Sequence, residues 1–137
     1  MKIVICSSIT FSKDVMGLKK ELEHMGHDVT VPKNVHLYAD GTFKPETRQE
    51  STENKRKDNL IRNYFNLIDR SEAILVVNKY KNNIENYIGG NTFLEIGFAH
   101  VLNKKIFLLN PVPNMPYSDE ILAMEPIVIN GNLSKIN

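Results

Sequence analysis

A chain of 137 residues has the length of one ordinary domain, and 42% hydrophobic side chains supply a core without disulfides or a structural metal. Lys and Arg number 17 against 16 Asp and Glu, so the formal charge is +1. That balance argues against a nucleic-acid polymer or an anionic membrane as partner and favours a small ligand recognised locally. A single cysteine, Cys6, excludes a disulfide framework and a Cys-rich zinc site, and it suits the cytoplasm. The N-terminal apolar stretch is too short for a signal peptide, and no run approaches the ~18 apolar residues of a membrane span.

Residues 2–6 (KIVIC) form an unbroken apolar run stopped by Ser7-Ser8, as expected of a strand buried on both faces. Val15, Leu18, Leu22 and Met25 then recur at helical spacing, with Ser12 as the expected cap and Gly26 as the stop, which predicts a helix over 13–25. A short β-branched strand follows at 28–31, closed by Pro32. Residues 32–52 are polar, with Gly41 and Pro45 as breakers, and read as an irregular excursion. Between 54 and 70 the apolar positions Leu60, Ile61, Tyr64, Phe65, Leu67 and Ile68 mark one face of a second long helix.

A central strand is expected at 72–78 (EAILVVN), then a polar stretch, then a largely buried helix through NTFLEIGFAHVLN. Residues 105–109 (KIFLL) read as the next strand. Ser118 is placed to cap a short helix to Met124, and 126–129 (PIVI) closes the pattern. Strand and helix alternate five times, so right-handed crossovers predict one α/β domain spanning 1–137. Its expected form is a doubly wound, five-stranded parallel sheet of the flavodoxin or Rossmann-like kind, in the order 2-1-3-4-5. Ligands in such sheets sit beyond the carboxyl ends of the strands, at the switch between the first and third. This selects the Cys6-Ser7-Ser8 turn, Asn78, and the Gly89-Gly90 loop.

At Gly89-Gly90-Asn91-Thr92 two glycines and two small polar residues open a helix, where free backbone N–H groups can meet an anion or a sugar hydroxyl. Glu95 follows between Leu94 and Ile96, read as a carboxylate in the first turn of an otherwise apolar helix. Its ionised form suits a nucleophile; alternatively it only complements the helix dipole or points to water. Ser7 and Ser8, after the first strand and before the first helix, can bind phosphate. Cys6 reads as a packed small residue, not a nucleophile. His24, His27, His36 and His100 lack ligand spacing, so no metal and no cofactor is expected. Lys55-Arg56-Lys57 is balanced by Glu50, Glu53 and Asp58 and reads as a solvated face. Tyr38, Tyr80, Tyr87 and Tyr117 fall in predicted loops, where one can stack on a base or simply pack.

Three segments together, ICSSI, EAILVVN and GGNTFLEIGFAHVLNKKIFLL, resemble the nucleoside 2-deoxyribosyltransferase superfamily, which includes 2'-deoxynucleoside 5'-phosphate N-hydrolases. The likeness spans about residues 2–109. It implies an N-glycosidase, hydrolase or transferase acting on a nucleoside or nucleoside 5'-monophosphate, with Glu95 at the position of the catalytic glutamate. By the same likeness Ser7, Ser8 and Ile9 lie in a loop that helps hold a 5'-phosphate; Asn78 at the switch point and Gly89, Gly90, Asn91 and Thr92 at the helix start are the other expected substrate-binding residues. Tyr64 stands where the family carries an aspartate, and Asn86 and Tyr87 where some members carry an acidic residue. A more distant similarity, limited to Gly89-Gly90, Thr92 and Glu95, is to the phosphoribohydrolases that release cytokinin bases. The alternative is a non-catalytic nucleotide-binding module of the same fold. The family resemblance also implies a homodimer. A domain this small has little chain for a lid, so a pocket is to be closed by residues 32–52, by 79–87 or by a second subunit. Without a bulk positive field, an anionic ligand has to be held by helix N-termini and loop hydroxyls.

Overall fold

A computed structural model of the protein describes residues 1–44, 47–57 and 59–137. Five parallel strands form one sheet, β1 (Lys2–Ser7), β2 (Asp28–Thr30), β3 (Ala73–Val77), β4 (Lys105–Leu108) and β5 (Ile127–Val128), in the order β2-β1-β3-β4-β5. The expected flavodoxin-like topology is therefore the observed one. Central β3 is buried at every position, which is why AILVV carries no polar alternation. Its register pairs Cys6 with Val76 and Ser7 with Val77, setting the ends of β1 and β3 side by side.

Side chains alternate between two apolar layers. Ile3, Ile5, Leu75, Val77 and Phe107 meet Val15 and Leu22 of α1 (Ser12–His24), Val35 of α2 (Val35–Ala39) and the C-terminal Leu133 and Ile136. Val4, Cys6, Ile74, Val76 and Leu108 face the opposite layer. There they meet Ile68 of α4 (Leu60–Asp69), Ile96 and Ala99 of α5 (Gly90–Val101), and Ile121 of α6 (Ser118–Ala123). Both faces are thus covered, as an all-parallel sheet requires.

Several boundaries depart from the periodicity. The expected helix over 54–70 is two helices, α3 (Arg48–Lys57) and α4, because Asn59 takes a left-handed φ of 51° that no helix continues through. Only α4 buries an apolar stripe; α3 is polar throughout. The excursion at 32–52 contains α2, anchored by buried Val35, and the start of α3. Pro45 and Asp58 lie outside the described residues.

The first helix stops as expected, with Gly26 at φ 96° after it. Ser12 is not its cap. It is the first helical residue and donates its hydroxyl to the Ile9 carbonyl, while Ser8 caps the short 3-10 turn Ile9–Phe11 by accepting from Thr10 N–H at 3.3 Å. Ser118 likewise lies inside α6 and accepts from Met115 N–H at 2.7 Å, tying the proline-rich loop instead of capping the helix. No helix among the described residues is long and apolar enough to cross a membrane.

Candidate active site

The carboxyl ends of β1 and β3 carry the residues of interest. Glu95 is 5% exposed and lies on the face of α5 that packs against the sheet. Since α5 begins at Gly90, Glu95 is in the second turn, not the first as the sequence suggested. The helix field fades within the first turn, so its environment is set by tertiary neighbours instead.

Cys6 and Tyr64 are among those neighbours. Burial, reinforced by the nearby Glu95 charge, holds the Cys6 thiol well above its ordinary range. Burial also raises the Tyr64 hydroxyl, with Cys6 and Glu95 adding to the effect. Cys6 is thus a packed, protonated thiol, as its apolar sequence context implies. Tyr64 donates its hydroxyl to the Ile5 carbonyl and so ties α4 to β1. Three residues far apart in the chain therefore meet at the end of β1, with Glu95 and Cys6 buried and Tyr64 partly so.

In front of this cluster the β1 turn meets the loop between β3 and α5. Ser7 donates its hydroxyl to the Ser8 carbonyl at 3.1 Å. Residues 81–84 close a two-residue hairpin in which Asn82 and Asn83 both take left-handed φ, the type I′ geometry that asparagine tolerates. The hairpin aims Lys81 across the site: its Nζ donates to Ser8 Oγ at 2.8 Å and lies 5.4 Å from the centre of the Tyr87 ring. Burial lowers the Lys81 pKa. The Tyr87 ring in turn packs on Gly89, where a Cβ would come within 3.3 Å of the ring edge. Ser8, Lys81, Tyr87 and Gly89 are consecutive contacts, so the loop of 79–87 covers the first-strand turn and reaches the start of α5.

The remaining expected positions divide. Gly89 precedes the first turn of α5, and the amides that follow have no acceptor within the helix. Open space surrounds the Gly90 Cα, Asn91 is exposed and Thr92 is buried. Asn78 is fully buried, and both hydrogens of its amide are committed, to the Asn110 carbonyl at 2.9 Å and the Pro111 carbonyl at 3.1 Å. Asn110 answers with its N–H to Asn78 Oδ1 at 3.0 Å and its amide to the Asn78 carbonyl at 2.8 Å. This reciprocal pair clamps the ends of β3 and β4. Ile9 starts the 3-10 turn and offers its carbonyl to Ser12.

Lys81 is the site residue that sequence reasoning did not place; Tyr64 was singled out there only as standing where the resemblance implies an aspartate. The Asn82-Asn83 pair was the available signal for Lys81, since two asparagines between Lys81 and Ile84 fit a tight hairpin. Of the other tyrosines, Tyr117 lies close enough to feel Tyr87 and Tyr80 belongs to the hairpin loop, whereas Tyr38 lies elsewhere. Tyr38 belongs to α2 and meets Phe43 edge-on; Tyr117 stacks on Phe93 and donates to the Ile88 carbonyl. Tyr80 bonds Asn83 at 2.9 Å. Among the described residues no group of three His, Cys, Asp or Glu side chains stands close enough to hold a metal ion.

No family model matches the sequence, and no curated protein matches it. Solved structures do. A 2-deoxyribosyltransferase from Bacillus psychrosaccharolyticus superposes with a TM-score of 0.56 at 22% identity, covering 79% of this chain and 71% of that one. The Clostridium botulinum CMP N-glycosidase BcmB superposes with a TM-score of 0.53 at 15% identity, covering 95% of this chain and 90% of that one. The chain shares the fold of these two enzymes.

Proposed function

We propose that this protein is an enzyme that breaks the N-glycosidic bond of a nucleoside or nucleoside 5'-monophosphate, with Glu95 as the nucleophile. The carboxylate attacks C1', the bond to the base breaks, and its electron pair leaves with the base, which takes up a proton. Water, or a second base, then displaces the sugar from the glycosyl-enzyme ester and restores the carboxylate. Gly89 to Thr92 orient the sugar or phosphate, Ser7, Ser8 and Ile9 line the phosphate end, and Asn78 holds the strand ends that carry them.

One observation carries this reading: a glutamate kept 5% exposed at the carboxyl end of a parallel sheet. Burying a carboxylate costs several kcal/mol, to order of magnitude, and a leucine there would pack without that cost. Its persistence at the ligand-binding edge fits a chemical role. The fold shared with a 2-deoxyribosyltransferase and a CMP N-glycosidase supports the same class of reaction. The test is incubation with mixed ribo- and deoxyribonucleosides and their 5'-monophosphates, with free base read by chromatography for the wild type and for Glu95→Gln.

A second reading is favoured by Tyr64, whose hydroxyl is committed to Ile5 at the position where the family carries an aspartate. On that reading the fold binds a nucleotide without cleaving it. Nucleotide binding with no base released at long incubation would establish it; turnover that depends on Glu95 would remove it.

A further inference from the structure

We propose that Lys81, held over Ser8, is the anion-recognising residue of this site and makes it selective for a substrate bearing a phosphate group over the neutral nucleoside. The selectivity part rests on the function proposed above; the anion site itself does not.

The contrast with Lys79, two residues earlier on the same loop, is informative. Lys79 Nζ is paired with Asp14 at 2.9 Å, and both side chains are more than two-fifths exposed, an ordinary surface ion pair. Lys81 is half-buried, and among the described residues no carboxylate pairs with it. Its neighbours are a hydroxyl oxygen and an aromatic ring. An ammonium has three hydrogens to donate. One goes to Ser8 Oγ, the Tyr87 ring lies beside the group, and neither partner carries a countercharge. A partly desolvated cation so placed gains most from an anion that accepts the remaining hydrogens.

The surroundings suit that anion. Ser8 lies at the carboxyl end of β1, the ring that packs against Lys81 also packs on Gly89, and the unpaired amides of α5 begin just beyond. A phosphate there meets a cation, a hydroxyl and a helix start within one loop cluster. With a net charge of +1, the chain has no broad positive field to do this instead. The glutamate cluster adjoins the end of the strand that leads into Ser8, since Cys6 of β1 is two residues before it and feels the Glu95 charge. A sugar bridging the two places its phosphate end at Lys81 and its C1' end toward Glu95.

Binding of ribose 5-phosphate and of ribose to the full chain, followed by titration calorimetry, tests this without any cleavage. The wild type should bind ribose 5-phosphate and not ribose, with affinity falling as salt rises. Lys81→Met should weaken binding at least about tenfold, as loss of a charge-assisted bond implies. Lys81→Arg should recover most of it, and Lys20→Met, at an exposed lysine of α1, should change nothing. Lys81→Gln serves the same purpose if the methionine variant does not fold. In turnover, Lys81→Met should raise KM for monophosphates by a larger factor than KM for the corresponding nucleosides. The proposal is overturned if the wild type binds ribose as well as ribose 5-phosphate, if Lys81→Met and Lys81→Gln bind like the wild type, or if Lys20→Met loses as much. Absence of base release with every nucleotide sinks the enzymatic reading while leaving the anion site standing. Glu95-dependent turnover with no preference for monophosphates sinks the selectivity alone.

Discussion

Replacing Glu95 by glutamine should move stability and activity in opposite directions. The carboxylate is 5% exposed, and the Cys6 thiol and the Tyr64 hydroxyl, both of which feel its charge, are held in their neutral forms. Glutamine keeps the shape and much of the hydrogen bonding while removing the cost of a buried charge. A gain of about 1–2 kcal/mol is expected, a fraction of the desolvation penalty of a buried carboxylate. For a chain of this length that corresponds to a rise in Tm of roughly 3–8 °C. Loss of the nucleophile should lower base release at least about a thousandfold, equivalent to ~4 kcal/mol in the barrier. Calorimetric melting at pH 7 and chromatographic release of free base on the same preparation read both quantities. A Tm below that of the wild type would refute the reasoning about the buried charge. Base release within tenfold of the wild type would refute the nucleophile.

Two other predictions concern the framework around the site. Asn78→Ala removes three side-chain hydrogen bonds from a fully buried clamp and leaves the Asn110 N–H without its acceptor. It should cost about 2–4 kcal/mol, read as a lower urea midpoint at unchanged slope. Stability should also fall at alkaline pH. Cys6 and Tyr64 hold their protons in the folded chain above the ordinary values of 9.0 and 10.0 at which the unfolded chain releases them. Their contribution is complete below about pH 9 and is lost as pH rises beyond it, with a slope approaching 1.4 kcal/mol per pH unit for each group. Urea midpoints at pH 8, 9 and 10 for the wild type and Cys6→Ala measure this; equal slopes between pH 9 and 10 would contradict it.

The strands and their order were legible in the sequence because a parallel sheet covered on both faces needs unbroken apolar runs, and KIVIC, AILVV and KIFLL are such runs. Right-handed crossovers left one reasonable topology. Glu95 was visible for a related reason: it interrupts a helix whose other inward positions, Thr92 at its start excepted, are apolar. Helix boundaries were less legible. Asn59 ends a pattern that the apolar positions alone would carry through, and the caps expected of Ser12 and Ser118 belong to other turns, since a hydroxyl takes whichever partner the local fold offers.

What only the tertiary structure decided is which side chains meet. Lys81 reaches Ser8 across 73 positions, Tyr64 reaches Ile5 across 59, and Asn78 clasps Asn110 across 32. Periodicity is a local property and reports the face a residue presents; it carries no information on which distant loop that face will touch. The sequence by itself therefore determined the sheet, the edge at which ligands bind in folds of this kind and the odd carboxylate there. Packing determined that a cation stands over the first-strand turn and that the carboxylate lies beside a thiol and a phenol, because those contacts exist only once the ends of β1 and β3 are brought together.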